Sequence, residues 1–298
     1  MLWIEYRWKA PGFGDREMRA LPPRRENDVT QPTNPLELLV GNLELRAPLT
    51  DDDRAALLSL PYRLRTLEPS SYTVREGDRP DDCFVLISGF AYRQKSTRNG
   101  ARQVLAFHIP GDAVDLQHLH LDVCDHNVQM LTRGDVALVR RSAIQELART
   151  RPGIAHAILV KVLVEGSIFR EWLLNVGRRD AKTRVAHLIC EFAIRLQREG
   201  LDKTYGYVLP MSQELLGDAV ALTPVHVNRM IRLLEKEGYI QRKGREISFP
   251  DWEKMRRVAD FSERYLHLSQ QEQQGQTVTA QLAMNGSGSD LSPPKGVA

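Results

Sequence analysis

Residues 211–244, MSQELLGDAVALTPVHVNRMIRLLEKEGYIQRKG, contain the local signals that decide the fold of the surrounding chain. Ser212 predicts the start of a short helix, because its hydroxyl can accept a hydrogen bond from an amide of the first turn. Thr223 is a second N-cap, and Pro224 follows it at the first helical position, where no amide hydrogen is needed. Gly238 supplies a left-handed residue to end this second helix. The stretch therefore predicts two short helices joined by a tight turn.

The second helix has two chemically different faces when its residues are placed at 100° intervals. Apolar residues form the face predicted to pack in the core: Val227, Met230, Ile231 and Leu234. Mostly polar and cationic residues form the opposite face: Val225, Asn228, Arg229, Arg232 and Lys236. Amide and guanidinium groups suit base edges, a valine suits a thymine methyl group, and a lysine suits phosphate. This pattern predicts a helix-turn-helix whose second helix enters a DNA major groove.

A β-hairpin is predicted directly after the second helix, with strands at 239–242 and 245–249 and Gly244 in the turn. The hairpin would complete a winged helix-turn-helix. It would also bring three cationic side chains close to DNA phosphate: Arg242, Lys243 and Arg245. An ordinary helical hairpin with a solvated charged face stays open as the alternative.

Residues 222–240, LTPVHVNRMIRLLEKEGYI, resemble the recognition helix of the family of the cyclic-AMP receptor protein and the fumarate–nitrate regulator, which are bacterial transcription factors. The resemblance implies base readers at Pro224, Val225, Asn228 and Arg229, with Arg229 as the reader of guanine. It gives the following predicted DNA-binding residues: Ser212, Thr223, Pro224, Val225, His226, Asn228, Arg229, Arg232, Lys236 and Lys243. Pro224 and Val225 depart from the pairs usual in the family, so the operator sequence cannot be inherited. Ala221 stands where a turn glycine is common.

Composition is compatible with two domains and with nucleic acid as a partner. The chain has 298 residues, of which 42% are hydrophobic and 27% are charged, and its formal net charge is +3. Residues 178–264 contain 17 Lys and Arg against 13 Asp and Glu, so this segment carries the positive excess. No uninterrupted apolar run approaches ~20 residues, which predicts no membrane segment. Three separated cysteines without a CxxC motif predict reduced thiols and a cytoplasmic protein.

The order of sequence patterns predicts an α+β fold. A disordered leader (1–34) precedes a β jelly-roll sensor domain (35–150), a long dimerisation helix (151–177), the winged helix-turn-helix domain (178–266) and a disordered tail (267–298). Short apolar runs separated by turn residues predict the strands of the roll at 71–74, 83–87, 90–93, 102–107, 128–131 and 135–139. The roll resembles the cyclic-nucleotide-binding-like sensor domain of the same family.

A long helix is predicted from Pro152 to Val176, with Gly177 as its end. Apolar residues at 4-3 spacing, interrupted by Glu165, form its predicted seam: Ile158, Val162, Phe169, Trp172 and Val176. Such a seam favours a homodimer, which would present two recognition helices to a palindromic operator. A single buried helix in a monomer stays open. Further N-caps are predicted at Thr50, Ser142, Asp180 and Asp251, the last for a helix reaching about Tyr265.

The resemblance raises three cofactors, and the residues argue against each. Nucleotide-binding members use an arginine pair for the cyclic phosphate, but the corresponding slot is Asp125-His126-Asn127. Oxygen-sensing members hold an iron–sulfur cluster with N-terminal cysteines, which the first 34 residues lack. Haem-binding members place their ligands where this chain has Asp115 and Gln117. We therefore predict no cofactor, and an effector that is absent or of another kind.

Residues 118–126, HLHLDVCDH, form the densest run of metal-ligand types in the chain. We interpret the run as a polar surface loop. The alternative is a cupin-like metal-dependent enzyme that uses His118-x-His120, although the second half of the cupin motif does not follow. Redox control through an exposed Cys124 or Cys190 is a further possibility. The sequence favours a transcription regulator that is not an enzyme and has double-stranded DNA, a second copy of itself and RNA polymerase as partners.

Overall fold

The computed structural model describes residues 34–197 and 207–268. The predicted leader, apart from residue 34, and the predicted tail beyond residue 268 lie outside these ranges. Eleven strands and eight α-helices form the described part, and the predicted α+β fold is confirmed. The helices are α1 (Glu37–Glu44), α2 (Asp51–Leu58), α3 (Arg141–Thr150), α4 (Pro152–Arg178), α5 (Ala181–Leu196), α6 (Gln213–Val220), α7 (Pro224–Lys236) and α8 (Trp252–Val258).

Eight strands fold into a roll of two four-stranded antiparallel sheets. They are β1 (Tyr62–Leu67), β2 (Tyr72–Val74), β3 (Asp82–Leu86), β4 (Ala91–Ser96), β5 (Arg102–His108), β6 (Ala113–Val114), β7 (Asn127–Met130) and β8 (Gly134–Arg140). One sheet has the order β1-β8-β3-β6 and the other has the order β2-β7-β4-β5. All six predicted strands are present, and the prediction missed β1 and β6.

Three short strands form a separate antiparallel sheet in the C-terminal part: β9 (Tyr207–Val208), β10 (Gln241–Lys243) and β11 (Glu246–Ser248), in the order β10-β11-β9. The predicted wing is the hairpin of β10 and β11. Two short 3₁₀ helices complete the described elements, at Leu116–Leu119 and Glu263–Leu266.

Four predicted helix boundaries can be compared with the structure. Thr50 and Asp180 do cap their helices: Thr50 forms a capping box with Asp53, and Asp180 accepts hydrogen bonds from two amides of α5. Ser142 does not cap α3, which begins one residue earlier without a side-chain cap. Gly177 does not end α4, because a glycine can also continue a helix.

The last predicted helix is shorter than expected. Asp251 does cap α8 by accepting a hydrogen bond from the amide of Lys254. The helix ends at Val258, however, because Asp260 adopts a left-handed conformation with φ of 46°. The chain then resumes as the 3₁₀ turn at Glu263–Leu266 instead of continuing to Tyr265 as one helix.

The face of helix α4 that packs in the core includes part of the seam that was predicted to contact a second subunit. Ile158 and Trp172 of that seam are buried against the helix's own subunit. The exposed apolar side chains lie one residue further along: Leu159 is 55% exposed, Leu163 is 60% exposed and Leu173 is 71% exposed. Two of the five predicted seam residues are therefore covered within the subunit, and the exposed apolar stripe is turned by about 100° from the predicted one.

Helix α4 is also the one helix of the described residues that is long and apolar enough to cross a membrane by length and composition alone. Its most apolar 18-residue window has a mean hydropathy of 1.5, and 33% of that window is buried. The sequence analysis predicted this helix but no membrane-length apolar run, because Lys161 and Glu165 interrupt the run. Lys161 is itself buried, with its ammonium 2.9 Å from the Asp112 carboxylate.

A single hydrophobic cluster joins the roll to the C-terminal part. Tyr92, Val104 and Phe107 of the roll belong to the same buried cluster as the apolar residues of α5, α6 and α7. Polar contacts reinforce this junction. Arg102 of β5 donates to Asp218 of α6 over 2.7 Å, and Arg195 of α5 donates to the Phe107 carbonyl over 2.7 Å. The predicted domain boundaries at 150 and 177 remain predictions, because the packing is continuous.

A buried polar chain connects α4 with α5 and the C-terminal turn. The Trp172 indole and the Tyr265 hydroxyl both lie 2.9 Å from the same oxygen of Glu191. His187 bonds to the Tyr265 hydroxyl through Nε2 and to the Ala259 carbonyl through Nδ1, at 3.1 and 3.2 Å. Burial lowers the pKa of His187 to about 4, with a further contribution from the nearby Arg179.

Candidate nucleic-acid interface

The two helices α6 and α7 meet at a tight turn that local sequence signals produce. The Ser212 hydroxyl accepts from the Leu215 amide over 3.1 Å, and the Thr223 hydroxyl accepts from the His226 amide over 3.3 Å. Pro224 occupies the first position of α7, as predicted. Ala221 between the helices is left-handed, with φ of 55° and ψ of 48°. The turn therefore places a strained alanine where glycine would be unstrained.

Gly217 meets a requirement of this turn that sequence analysis did not identify. A Cβ atom on Gly217 would lie 2.4 Å from the carbonyl oxygen of Leu222, a distance that no real contact shows. The Leu222 amide also donates to the Gly217 carbonyl over 3.0 Å. The close approach of the two helices thus depends on the missing side chain at this position.

Helix α7 divides into the two faces that the periodicity predicts. Its core face is buried at all four predicted positions: Val227, Met230, Ile231 and Leu234. On the other face Val225 is 80% exposed, Arg229, Arg232 and Lys236 are exposed, and His226 and Asn228 are half-buried. At 80% exposure the isopropyl group of Val225 packs little against its own subunit and is free to contact a ligand. The exposed face therefore combines one apolar contact, one amide and three cations along a single helix.

A side-chain hydrogen bond joins two residues of this face. Arg229 donates through Nη2 to Nε2 of His226 over 3.0 Å. The two residues are three positions apart, so their side chains lie on adjacent turns of α7. Sequence analysis placed Arg229 on the exposed face and named both residues as DNA-binding, but it did not predict their contact, although the spacing was available as a signal.

The cations of the wing differ in how they are held. Arg242 lies 3.8 Å from the Glu235 carboxylate of α7. Arg245 donates to the carbonyl oxygens of Leu209 and Pro210. Arg242 therefore has an ion-pair partner and Arg245 has hydrogen-bond partners within the subunit, and their predicted position near phosphate stays a prediction. Lys243 is exposed and has no ion-pair partner within the described ranges, so it is the wing cation that is available to a ligand.

His126, from the segment 125–127 that takes the place of the family's arginine pair, belongs to an internal ion-pair network. Arg93 is buried and lies 2.8 Å from Asp115 and 3.3 Å from Glu165 of α4. His126 bonds to the same Asp115 oxygen over 2.8 Å. Burial would raise the pKa of Asp115, but Arg93 and His126 outweigh it and hold the pKa well below its usual range. The network joins the roll to the long helix.

A small cavity lies beside this network, between β5 and α4. Its volume is about 30 Å³, and its lining includes Arg93, His108, Lys161 and Arg195. Burial, together with the charge of Arg93, lowers the pKa of His108 to about 3. The Asp112 carboxylate lies 2.9 Å from the Lys161 ammonium and 3.0 Å from the Arg195 guanidinium. The cations around the cavity are thus largely neutralised by neighbouring carboxylates.

The run at 118–126 is only partly the surface loop that the sequence predicted, because residues 120–123 and 125 are exposed whereas His118, Cys124 and His126 are buried. His118 is buried in the 3₁₀ helix at Leu116–Leu119, whereas His120 is exposed, so the two imidazoles do not share a strand face. His118 contacts Cys124 over 3.6 Å and stacks on His126 with ring centres 5.8 Å apart. No group of three metal-ligand side chains occurs in residues 34–197 and 207–268. The cupin-like alternative is not supported.

The cysteines suggested for redox control are both buried. Burial raises the pKa of the Cys124 thiol to about 12 and raises the pKa of Cys190 still further. A thiol that stays protonated is a poor nucleophile. The prediction that either cysteine is exposed was wrong, because both lie among apolar side chains of the core.

Two protein families match the chain in the order that the structure shows. A cyclic nucleotide-binding domain matches residues 64–151, and a Crp-like helix-turn-helix domain matches residues 183–258. Together they span more than half of the chain. The transcriptional activator protein FnrL of Cereibacter sphaeroides is 25% identical over 198 residues, which cover 65% of this chain and 79% of that protein. The transcriptional activator protein anr of Pseudomonas aeruginosa is 23% identical over 235 residues, which cover 79% and 92%.

A solved structure shares the fold at low identity. FixK2 from Bradyrhizobium japonicum matches with a TM-score of 0.62 and 23% identity, covering 68% of this chain and 100% of that chain.

The matched sensor family implies a cyclic nucleotide, and the residues present do not fit one. Arg93, the buried guanidinium beside the cavity, is already bonded to Asp115 and Glu165. The Asp115 and Glu165 carboxylates beside Arg93 would repel a cyclic phosphate. The cavity of about 30 Å³ is also far smaller than the roughly 300 Å³ that small-molecule sites need. The roll therefore has the fold of this domain without a defined cofactor.

Proposed function

Because the chain belongs to the Crp/Fnr family of transcription regulators, we propose that it binds a two-fold-symmetric DNA operator as a homodimer, with α7 of each subunit in the major groove. The exposed face of α7 carries this proposal. Val225, Asn228 and Arg229 lie together at the start of the helix, where a recognition helix meets base edges. We assign the reading of a guanine to Arg229, because a guanidinium can bond to O6 and N7 together.

The remaining cations of the interface have a different proposed role. Arg232 and Lys236 continue along the exposed face of α7, and Lys243 lies at the tip of the wing. Their distance from the start of α7 suits contact with the phosphate backbone, which fixes orientation without reading sequence. Ser212 and Thr223 cap α6 and α7 through their side-chain oxygens. The N-termini of these two helices carry backbone amides, which also suit phosphate.

The dimer interface that we propose follows the exposed apolar side chains of α4. Leu159, Leu163, Gly166, Arg170 and Leu173 repeat at intervals of 4, 3, 4 and 3 residues, which is the spacing of a two-stranded coiled coil. The three leucines remain more than half exposed in one subunit. A parallel pair of α4 helices would cover them and would hold the two α7 helices about 34 Å apart, as successive major grooves require.

A lipid bilayer is a less suitable environment for α4 than a second subunit. The helix contains Lys161, Glu165, Arg170 and Glu171, and its other face packs in the subunit core. A charged side chain at the centre of a bilayer costs about 3 kcal/mol or more. We therefore propose that the protein is cytoplasmic. From its membership of a family of transcription regulators we also propose that RNA polymerase is a further partner and that the protein is not an enzyme.

In-vitro selection of duplex sites with the purified protein tests the proposed function. We expect a two-fold-symmetric consensus, and selection of no sequence above random competitor DNA would overturn the proposal. The variant Arg229→Ala should lose about 1–3 kcal/mol of specific binding free energy and relax the preference at one base pair of each half-site. Lys243→Ala should weaken binding to all sequences alike and reduce the salt dependence, since a phosphate contact carries no base information.

A further inference from the structure

We propose that His226 is a positioning residue that orients the guanidinium of Arg229 for base reading, instead of contacting DNA itself. This inference rests on the proposed function, in which Arg229 reads a base. The observation behind it is the hydrogen bond from Arg229 Nη2 to His226 Nε2, over 3.0 Å on the exposed face of α7.

The backbone that carries the imidazole is held by the start of the helix. The backbone amide of His226 donates to the Thr223 hydroxyl over 3.3 Å, and Pro224 fixes the backbone between them. The His226 side chain is half-buried, whereas Arg229 is exposed. A half-buried imidazole on a fixed backbone has fewer orientations than the long arginine side chain beside it, so it can favour one direction of that side chain. Because Nε2 accepts the hydrogen bond, the ring proton lies on Nδ1.

The bond leaves the reading capacity of Arg229 intact. A guanidinium has five N–H donors in a rigid fork, and His226 takes one of them. The other hydrogen of Nη2 and its neighbours remain available for a bidentate contact with O6 and N7 of a guanine. His226 therefore selects an orientation of the fork without competing for it.

Arg232, on the same face of α7, provides the contrast. In residues 34–197 and 207–268 no hydrogen bond or ion pair holds its guanidinium, so it can follow a phosphate group over several positions. A phosphate contact tolerates such freedom, but a bidentate base contact does not. The arginine assigned to sequence reading is thus the pre-oriented one, and the arginine assigned to phosphate is the free one.

The size of the effect follows from the freedom that the bond removes. Immobilising one long side chain at an interface costs about 0.5–1.5 kcal/mol, and a pre-oriented side chain avoids much of this cost. Loss of His226 should therefore reduce discrimination at the base pair read by Arg229 by about 3- to 10-fold. Discrimination at the other positions of the half-site should not change.

The test measures dissociation constants for the selected operator and for operators with single base-pair changes, using the full-length protein. The variants are His226→Ala, His226→Gln, Arg229→Ala and the double variant. We expect His226→Ala to lose discrimination at the same base pair as Arg229→Ala, and to lose none in the Arg229→Ala background. His226→Gln should restore part of it, because the glutamine oxygen is also an acceptor.

Three outcomes separate this inference from the proposed function. If His226→Ala retains full discrimination while Arg229→Ala loses it, the positioning role is overturned and the proposed function stands. If His226→Ala has the same effect with and without Arg229, His226 contacts DNA itself and the inference fails. If Arg229→Ala discriminates like the wild type, the assignment of Arg229 fails and the inference fails with it. Circular dichroism of each variant checks that α7 remains folded.

Discussion

Replacing Leu163 by Glu should dissociate the homodimer, because this side chain lies in the middle of the exposed apolar face of α4. Complete burial of a leucine contributes about 1.5–3 kcal/mol. Leu163 is 60% exposed in the subunit, so its contact with a partner contributes about 1–2 kcal/mol per subunit and about 2–4 kcal/mol per dimer. Glutamate removes this contribution and places two carboxylates opposite each other across the two-fold axis.

The corresponding increase in the dimer dissociation constant is about 30- to 700-fold or more. Sedimentation equilibrium over a range of protein concentrations measures it directly. The same variant should bind a complete operator with an affinity close to that for a half-site, since two recognition helices no longer act together.

A matched control is available in Leu121→Glu, because Leu121 is 55% exposed but lies outside α4 in the loop after the 3₁₀ helix at Leu116–Leu119. That variant should remain dimeric. A dimer of Leu163→Glu with wild-type stability would refute the proposed interface, and so would equal dissociation of the two variants.

Three further predictions concern stability. Ala221→Gly should stabilise the protein by about 1 kcal/mol in urea unfolding, since the left-handed turn residue no longer carries a Cβ atom. Gly217→Ala should destabilise it by about 3 kcal/mol or more in the same assay and weaken DNA binding, because the new Cβ atom would overlap the Leu222 carbonyl and separate the two helices. The pKa values of His187 and His108 are lowered to about 4 and about 3, so each takes up a proton on unfolding below pH ~6.5. Their stabilising contribution is complete above that pH and is lost as the pH falls toward 4. As the pH falls from 6.5 to 5, the two histidines together should lower the free energy of unfolding by about 3 kcal/mol. Urea titration at each pH measures this change.

Two of these predictions have a control within the chain. Gly41→Ala, in α1, meets no atom within 4 Å and should stabilise by about 1 kcal/mol, in contrast to Gly217→Ala. For the pH series, Glu191 acts in the opposite direction. Burial raises its pKa, so on acidification the folded state takes up this proton at a higher pH than the unfolded state does. His187→Gln and His108→Gln should each flatten the pH dependence. If the free energy of unfolding of both variants depends on pH as in the wild type, the histidine explanation is refuted. If Ala221→Gly has the stability of the wild type, the proposed strain at the turn is refuted.

Local chemistry explains which parts of the fold could be predicted from sequence. The caps at Ser212 and Thr223 and the proline at position 224 act within one helical turn, so their effect does not depend on distant packing. The faces of α7 follow from periodicity, and the structure has the predicted core residues buried. The same reasoning identified the roll strands, since alternating apolar runs and turn residues are also local signals.

The errors arose where long-range packing decides the outcome. Periodicity identified the first half of α4 as apolar nearly all round, but it could not show which stripe the subunit itself covers, so the predicted seam includes Ile158 and Trp172, which are buried in the subunit. The 118–126 run looked polar, yet the roll buries His118 and His126 through a stack and an ion pair. The need for glycine at position 217 depends on how closely the chain after α6 returns to that helix. The His226–Arg229 bond depends on the orientations of the two side chains. Sequence patterns reveal neither. The DNA contacts themselves stay a prediction.

The continuous core between the roll and the winged helix has a consequence for how such regulators can be recombined. Phe107 and Arg195 belong to different halves of the chain, yet each completes the environment of the other. A chimaera that combined this winged helix with a foreign sensor would leave an apolar patch uncovered and the Arg195 cation without its carbonyl. Exchange of specificity is therefore easier at the surface of α7, where side chains can be replaced singly without disturbing the junction.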